Sequence, residues 1–285
     1  MPKHPFRIAL ALILTLTWTL PGPAWAWGPQ GHQIVGRIAE LRLTPQAKAA
    51  IAQLLGEGDS ISDAEVANWA DDVRKFFPES GPWHYVDIPV EESRYSQSRD
   101  CKYSDCVIER IEKFREVLAD KNARKSDRQR ALKWLVHLVG DLHQPLHCAE
   151  RRDSEGNPDL GGNRRKVYFL GETVQSNLHE VWDTKLLVHG INASELNDAV
   201  LHDYAAQLNS RITQAHAASW GKGNAKAWAL ESHRAAVEHV YAGVPADGPP
   251  PRLGPEYVEK NRPVVEEQLS KAGIRLAELL NRALD

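Results

Sequence analysis

Residues 134–147 read Trp134-Leu-Val-His137-Leu-Val-Gly-Asp141-Leu-His143-Gln-Pro145-Leu-His147 and combine a strongly apolar helical pattern with three histidines and an aspartate. His137 and Asp141 are four residues apart, so on a helix their side chains leave the same face about one turn apart. The residues between them are apolar or glycine, and an unpaired charge on such a buried face is costly, whereas a bound cation removes that cost. Pro145 disfavours helical geometry at the residue before it, so we expect the helix to end near His143 and His147 to turn back toward the site.

A second stretch, Asn177-Leu-His179-Glu-Val-Trp182-Asp183, repeats the spacing of four residues between histidine and aspartate. One such pair could equally be a hydrogen-bonded pair in a core, but two pairs with the same spacing favour metal ligation. Imidazole and carboxylate ligands, with no cysteine in either motif, are typical of zinc in a hydrolytic site rather than in a structural thiolate site.

Residues 1–26 have the pattern of a signal peptide. Lys3 and Arg7 precede the apolar run 8–14, and Ala24-Trp25-Ala26 is the small-x-small pattern that signal peptidase cuts. A membrane anchor is the alternative, but the apolar run is short and is followed by threonines and prolines. We therefore expect cleavage before Trp27, one domain over residues 27–285, and a secreted or periplasmic protein.

The charge balance excludes a strongly basic nucleic-acid binder. The full chain has a formal net charge of −3, and loss of Lys3 and Arg7 would make it −5. Affinity for phosphate must then come from a local cation rather than from a lysine-rich face. Of the three cysteines, Cys101 and Cys106 could close a small disulfide in an exported protein, and we expect Cys148 to be a packed thiol.

The helix signals indicate an all-α, single-domain bundle with long loops and at most a short β-hairpin, whose best strand candidate is residues 166–170. Thr44 caps a helix that Pro45 opens and Gly56 ends. Ser62 and Glu65 have the spacing of a capping box, which predicts a helix toward Lys75. Further helices are predicted over residues 105–119, 127–143, 177–188, 194–215, 224–241 and 263–283.

Three further segments carry candidate residues. Asn68-Trp-Ala-Asp71-Asp-Val-Arg74 is by itself more typical of a solvated helix face. In Trp83-His84-Tyr85-Val-Asp87, alternation predicts His84 on one side and Tyr85 and Asp87 on the other. In Trp27-Gly-Pro-Gln-Gly-His32, a free terminal amine with its carbonyl could chelate a metal beside the histidine.

Taken together, these motifs closely resemble the S1/P1 nuclease family, which are secreted three-zinc single-strand nucleases. The resemblance extends by motif from Trp27 to Asp183, and it implies the helical fold shared by phospholipase C and P1 nuclease over residues 27–285. It also implies three Zn²⁺ ions per chain. Asp71, His84, His137 and Asp141 would hold the first ion; the Trp27 amine and carbonyl, His32 and Asp141 the second; and His147, His179 and Asp183 the third.

The same resemblance implies the activity. Single-stranded DNA and RNA would be cut to 5′-phosphate products, and 3′-mononucleotides would also be substrates. Asp71, Asp141 and Arg74 would be catalytic, with Arg74 stabilising the pentavalent phosphate, while Tyr85 and Asp87 would bind a nucleobase and Asn163 would line the site in a glycine-rich turn. A monomer is implied, with no stable protein partner and no membrane association.

Two alternatives remain at this point. A zinc-dependent phospholipase C resembles this family in its N-terminal tryptophan and ligand set, whereas Tyr85, Asp87 and the Gly-Gly-Asn163 turn favour the nuclease. A non-catalytic zinc-binding protein would have no use for Arg74. His143 lies on the opposite flank of the helix from Asp141, and we do not expect it to bind metal.

Overall fold

The computed structural model describes residues 27–285, so the predicted signal peptide lies outside the described residues. This part of the chain is largely helical. Its thirteen α-helices are α1 Pro29–Glu40, α2 Pro45–Leu55, α3 Ala64–Ala67, α4 Trp69–Arg74, α5 Gln97–Asp100, α6 Val107–Ala119, α7 Lys125–Leu142, α8 Leu178–Glu180, α9 Leu186–Ile191, α10 Asp198–Ser210, α11 Gln214–Trp220, α12 Ala225–Ala235 and α13 Pro255–Leu284. Short 3₁₀ helices cover Pro78–His84, Lys102–Ser104 and Pro145–Cys148, and π-helical turns cover Val181–Lys185 and Ala236–Val240.

A small sheet joins two distant parts of the chain. Strand β1, Lys166–Phe169, pairs antiparallel with β2, Ser176–Asn177, in the register Lys166↔Asn177. Strand β3, Arg252–Leu253, adds to the other edge of β1 in parallel, with Phe169 opposite Leu253. The predicted hairpin is therefore present, and it carries one further strand that local sequence did not indicate.

Helix α7 lies at the centre of the bundle. Every residue from Trp134 to Leu142 is buried, and the helix packs against α6, α13, α1 and α4. Because apolar side chains fill this stretch on all sides, its polar residues can only point into the protein interior. No helix between Trp27 and Asp285 is long and apolar enough to cross a membrane.

Where a helix end depends on local signals, the predictions are confirmed. Helix α2 spans Pro45–Leu55, and the Thr44 hydroxyl accepts a hydrogen bond from the Ala47 amide at 3.0 Å. Asn177 likewise caps α8 by accepting from the Glu180 amide at 2.7 Å. Helix α7 ends at Leu142 with His143 as its C-cap, as Pro145 predicts.

Several predicted boundaries are wrong. Ser62 does not cap a helix, because its hydroxyl donates to Glu40, and the predicted helix breaks at Asn68 into α3 and α4. The predicted helix 194–215 is interrupted before Thr213, which caps α11 instead. Helix α13 begins at Pro255 rather than Pro263, which it accommodates in its interior. Helix α1 was not predicted.

Candidate metal centre

Five predicted metal ligands meet in one buried group, called here the first cluster. They come from four separate elements: α1, α4, the end of the 3₁₀ helix Pro78–His84, and α7. All five side chains are buried. The members of the first cluster are His32, Asp71, His84, His137 and Asp141.

Asp141 is the common neighbour of the three histidines. Its Oδ2 lies 2.9 Å from His84 Nδ1 and 3.4 Å from His137 Nε2, and its Oδ1 lies 3.4 Å from His32 Nε2. The Asp71 Oδ1 lies 3.6 Å from His137 Nε2 on the other side. The two oxygens of Asp141 thus face different histidines, an arrangement suited to a carboxylate shared by two cations.

The donor atoms of the first cluster fit metal ions. Both ring nitrogens of His32, Nε2 of His84 and of His137, and Oδ1 of Asp141 are buried without a hydrogen-bond partner. Unpaired buried polar atoms are costly and rare, so five in one place need an explanation. Imidazole nitrogen and carboxylate oxygen are ligands that zinc accepts, and bound cations would satisfy them.

The electrostatics of the cluster also call for positive charge. Burial raises the pKa of the Asp141 carboxyl, but His137 and His84 outweigh it and hold the pKa below its usual range. Burial lowers the pKa of His137, but Asp141 and Asp71 raise it to about 9. Burial and His137 lower the pKa of His32 to about 3. The carboxylates therefore hold a positive charge here, either as a proton on His137 or as a bound cation.

Gly140 makes room for His32. The His32 ring stacks on His137 with their centroids 3.8 Å apart. A Cβ at Gly140 would lie only 2.7 Å from His32 Nδ1. His137 is oriented from its other side, since its Nδ1 donates to the Ala67 carbonyl oxygen at 2.8 Å.

Trp27, at the start of the described residues, packs against the beginning of α1. Its side chain is fully buried, and a Cβ on Gly31 would lie 2.7 Å from Trp27 Cβ. The next amide, of Gly28, donates to the Asp183 carbonyl oxygen at 2.9 Å. The start of α1 is thereby fixed against the segment that carries Asp183.

His147, His179 and Asp183 form a second, smaller group, called here the second cluster. The Nε2 atoms of the two histidines are 3.2 Å apart, and Asp183 Oδ2 lies 3.1 Å from His179 Nε2. Burial lowers the pKa of His147 to about 3; the charge of Asp141 acts to raise this pKa, whereas the charge of His179 acts to lower it further. Burial raises the pKa of Asp183 even though His179 opposes it. Both effects favour neutral groups unless a cation is bound.

The two clusters are joined through the backbone. His147 Nδ1 donates to the carbonyl oxygen of His84 at 2.7 Å, and the Val86 amide donates to the His147 carbonyl oxygen at 2.8 Å. His147, in the second cluster, is thus held in place by the backbone of His84, which belongs to the first cluster.

The glycine-rich turn before β1 supports His179. Gly161 has φ +57°, and its carbonyl oxygen accepts from His179 Nδ1 at 2.6 Å. A Cβ at Gly161 would lie 2.6 Å from the Leu146 carbonyl oxygen, so only glycine fits. Asn163 follows this turn, and its side-chain amide donates to the Leu160 carbonyl oxygen at 2.9 Å.

Tyr85 and Asp87 lie on the surface beside the ligand His84. The alternation is as predicted: His84 and Val86 are buried, while Tyr85 is 36% exposed and Asp87 is exposed. Burial of part of the side chain, together with Glu150 and Asp100, raises the pKa of Asp87 to about 7. Burial and Asp87 raise the pKa of Tyr85.

Arg74 lies at the C-terminal end of α4, three residues after the ligand Asp71. A Cβ at Gly81 would lie 3.6 Å from Arg74 Nε. The positive charge of Arg74 opposes the rise in the pKa of Tyr85. The expectation that this segment is a solvated face holds for Asp72, which is exposed, but not for the buried Asp71.

The disulfide Cys101–Cys106 is present and closes a loop beside Tyr85, whose carbonyl oxygen accepts from the Val107 amide at 3.1 Å. Cys148 is a buried free thiol that donates to the Leu142 carbonyl oxygen.

Two residues near the clusters have roles that local spacing did not indicate. His143 Nδ1 donates to the Val139 carbonyl oxygen at 2.7 Å and its Nε2 accepts from Arg275 at 2.8 Å, so both nitrogens are occupied outside the clusters. Gln144 is fully buried and donates through Nε2 to Asp183 Oδ1. The sequence did offer a signal for Gln144, which is a polar residue between the ligands Asp141 and His147 in a buried run.

Comparison with known proteins shows which family the chain belongs to. A family model described as S1/P1 Nuclease matches residues 27–285. Nuclease S1 of Aspergillus oryzae is 31% identical over 94% of this chain and 96% of its own length. Endonuclease 2 of Arabidopsis thaliana is 31% identical over 90% of each chain, and Nuclease P1 of Penicillium citrinum is 30% identical over 90% of this chain and 97% of its own. Because the family model spans every residue that the structure describes, the chain belongs to the S1/P1 nuclease family and is a nuclease, a hydrolase that acts on nucleic acids.

Proposed function

We propose that the protein is a secreted or periplasmic zinc-dependent endonuclease that cuts single-stranded DNA and RNA to 5′-phosphate products and also hydrolyses 3′-mononucleotides. The observation that carries this proposal is the meeting of eight histidines and aspartates in two buried clusters, the first of which has unpaired polar atoms, beside an exposed tyrosine and aspartate. Cleavage before Trp27 and a monomeric state belong to the same proposal.

In this proposal the clusters hold three Zn²⁺ ions. Asp71, His84, His137 and Asp141 would bind one ion, and Asp141, His32 and the amine and carbonyl of Trp27 would bind another. The contact of both Asp141 oxygens with different histidines supports a shared carboxylate. The second cluster, His147, His179 and Asp183, would bind the third. Zinc supplies Lewis-acid stabilisation to phosphate oxygens and makes water a usable nucleophile near neutral pH.

The role of Arg74 follows from its charge. Phosphodiester hydrolysis passes through a pentavalent phosphorus that carries more negative charge than the substrate. A guanidinium retains its proton at all relevant pH values and can donate two hydrogen bonds to phosphate. Its place at the end of the helix that carries Asp71 supports a role in stabilising that charge.

Tyr85 and Asp87 account for single-strand selectivity. A ring stacks on a base only when the base is separated from its neighbours, and such a contact contributes about 1–3 kcal/mol. Asp87 can hydrogen-bond base amino or imino groups, which are occupied in a duplex. Without a strongly basic surface, the protein has little attraction for the duplex backbone.

The test compares cleavage of a single-stranded oligonucleotide, the matching duplex, a 3′-mononucleotide and phosphatidylcholine by the zinc-loaded protein. We expect the first and third substrates to be cut and the lipid to be left intact. Tyr85→Ala should weaken oligonucleotide binding about 10- to 100-fold, consistent with one lost stack, with unchanged zinc content. Tyr168→Ala, on β1, is the control. Equal rates on duplex and single strand, or cleavage of the lipid alone, would contradict the proposal.

A further inference from the structure

Each residue of the second cluster has a second polar atom that is held from outside the cluster. His147 Nδ1 donates to the His84 carbonyl oxygen at 2.7 Å, and His179 Nδ1 donates to the Gly161 carbonyl oxygen at 2.6 Å. Their Nε2 atoms are thereby left to face one another and Asp183 Oδ2. For Asp183 the outer atom is Oδ1, and its partner is the side-chain amide of Gln144.

The orientation of Gln144 is itself fixed. Its Oε1 accepts from the Leu146 amide at 2.5 Å, so the oxygen end of the side chain is occupied and the NH₂ end must face Asp183. The side chain has no exposed surface. Its backbone is extended at the end of α7, the conformation that a following proline favours, and this directs it between the segments that carry the ligands.

We propose that Gln144 is a positioning residue that reserves one oxygen of Asp183 and leaves only the other to the metal ion of the second cluster. This inference rests on the proposed function, since it assumes an ion in that cluster. A carboxylate released from Gln144 is no longer held in the orientation that presents Oδ2 to the ion, so affinity for the ion falls. Partners of metal ligands typically contribute 10- to 100-fold to metal affinity.

The experiment measures zinc affinity by competition with a chelator, and the absorption spectrum after cobalt substitution, for wild type and Gln144→Met. Methionine keeps the length of the side chain and loses both hydrogen bonds. Gln268→Met is the matched control, because Gln268 is also a buried amide and donates to the His143 carbonyl oxygen at 3.0 Å and to Ser232 Oγ at 3.1 Å, away from both clusters. Thermal unfolding of the metal-free proteins checks that both variants fold.

We expect one of three ions to bind 10- to 100-fold more weakly in Gln144→Met, with a changed cobalt spectrum, while Gln268→Met keeps all three affinities. If Gln144→Met does not fold, Gln144→Asn gives the answer, because asparagine keeps an amide but is one methylene shorter and cannot reach both the Leu146 amide and Asp183. Three unchanged zinc affinities in the folded Gln144 variant would overturn the role proposed for Gln144 and leave the three-ion proposal standing. A wild-type protein that binds only two ions would overturn the three-ion proposal, and it would overturn this role as well if the Gln144 variant keeps both affinities.

Discussion

Gly140→Ala tests whether the first cluster depends on the close approach of α1 to α7. Gly140 lies within α7, directly before Asp141, and a Cβ there would lie 2.7 Å from His32 Nδ1 and 3.0 Å from its Cε1. The His32 ring has no exposed surface and is stacked on His137 with the ring centroids 3.8 Å apart. It therefore cannot move away from a new Cβ without losing its contact with His137. We expect the added methyl group to displace His32.

The effect on stability should be small beside the effect on metal binding. Overpacking of a filled interior costs about 1–3 kcal/mol. Alanine in a helix regains about 1 kcal/mol relative to glycine. The net loss in the free energy of unfolding of the metal-free protein is therefore about 0–2 kcal/mol, and the variant should fold while it loses the ion that His32 would bind.

The assay is zinc content per chain by mass spectrometry, together with urea unfolding of the metal-free protein. Gly254→Ala is the control, since a Cβ at Gly254 meets no atom within 4 Å and its φ is −87°. The expected result is about one zinc ion fewer in Gly140→Ala than in wild type and in the control. Full zinc content and an unchanged cleavage rate in Gly140→Ala would show that His32 does not need the space left by Gly140.

Three further predictions concern single groups. Asp141→Asn should lower the cleavage rate by several orders of magnitude and His143→Ala far less. Asp141 contacts three ligand histidines, whereas the hydrogen bonds of His143 go to Val139 and Arg275. Equal losses of rate in a steady-state assay would contradict this difference. Reduction of Cys101–Cys106 should cost about 2 kcal/mol in urea unfolding, from closure of so short a loop, and Cys101→Ser should then show no further loss on reduction. The pKa of Asp87 rises from 3.8 to about 7 on folding, so between these pH values the folded protein holds a proton on Asp87 that the unfolded chain has lost. The stability that Asp87 contributes is therefore present in full below about pH 4 and is lost as the pH rises to about 7. Asp87→Asn should therefore gain stability relative to wild type between pH 5 and pH 8 in urea midpoints, and a constant difference would contradict the shifted pKa.

The sequence predicted those features that depend on neighbours along the chain. The spacing of His137 and Asp141 fixes one helix face, and Thr44 with Pro45 fixes the start of α2. The predicted start of α13 was wrong because a proline in a first helical turn and a proline tolerated in a helix interior have the same local sequence pattern. Only packing distinguishes Pro255 from Pro263.

Contacts between distant segments could not be read from spacing. His32, on a helix that local signals did not predict, reaches Asp141 from more than a hundred residues away, and only the family resemblance suggested that these two residues share a metal ion. Asp71 taken alone indicated a solvated face, yet it is buried because α4 packs on α7. Gln144 was passed over because the partner that gives it a role, Asp183, is supplied by another helix.

Anomalous X-ray diffraction at the zinc absorption edge, from crystals of the protein that begins at Trp27, would locate the metal ions. We expect three zinc peaks per chain, two within the first cluster on either side of Asp141 and one within the second cluster between His147, His179 and Asp183. A single peak in the first cluster, or no peak in the second, would contradict the assignment of three zinc ions to these residues.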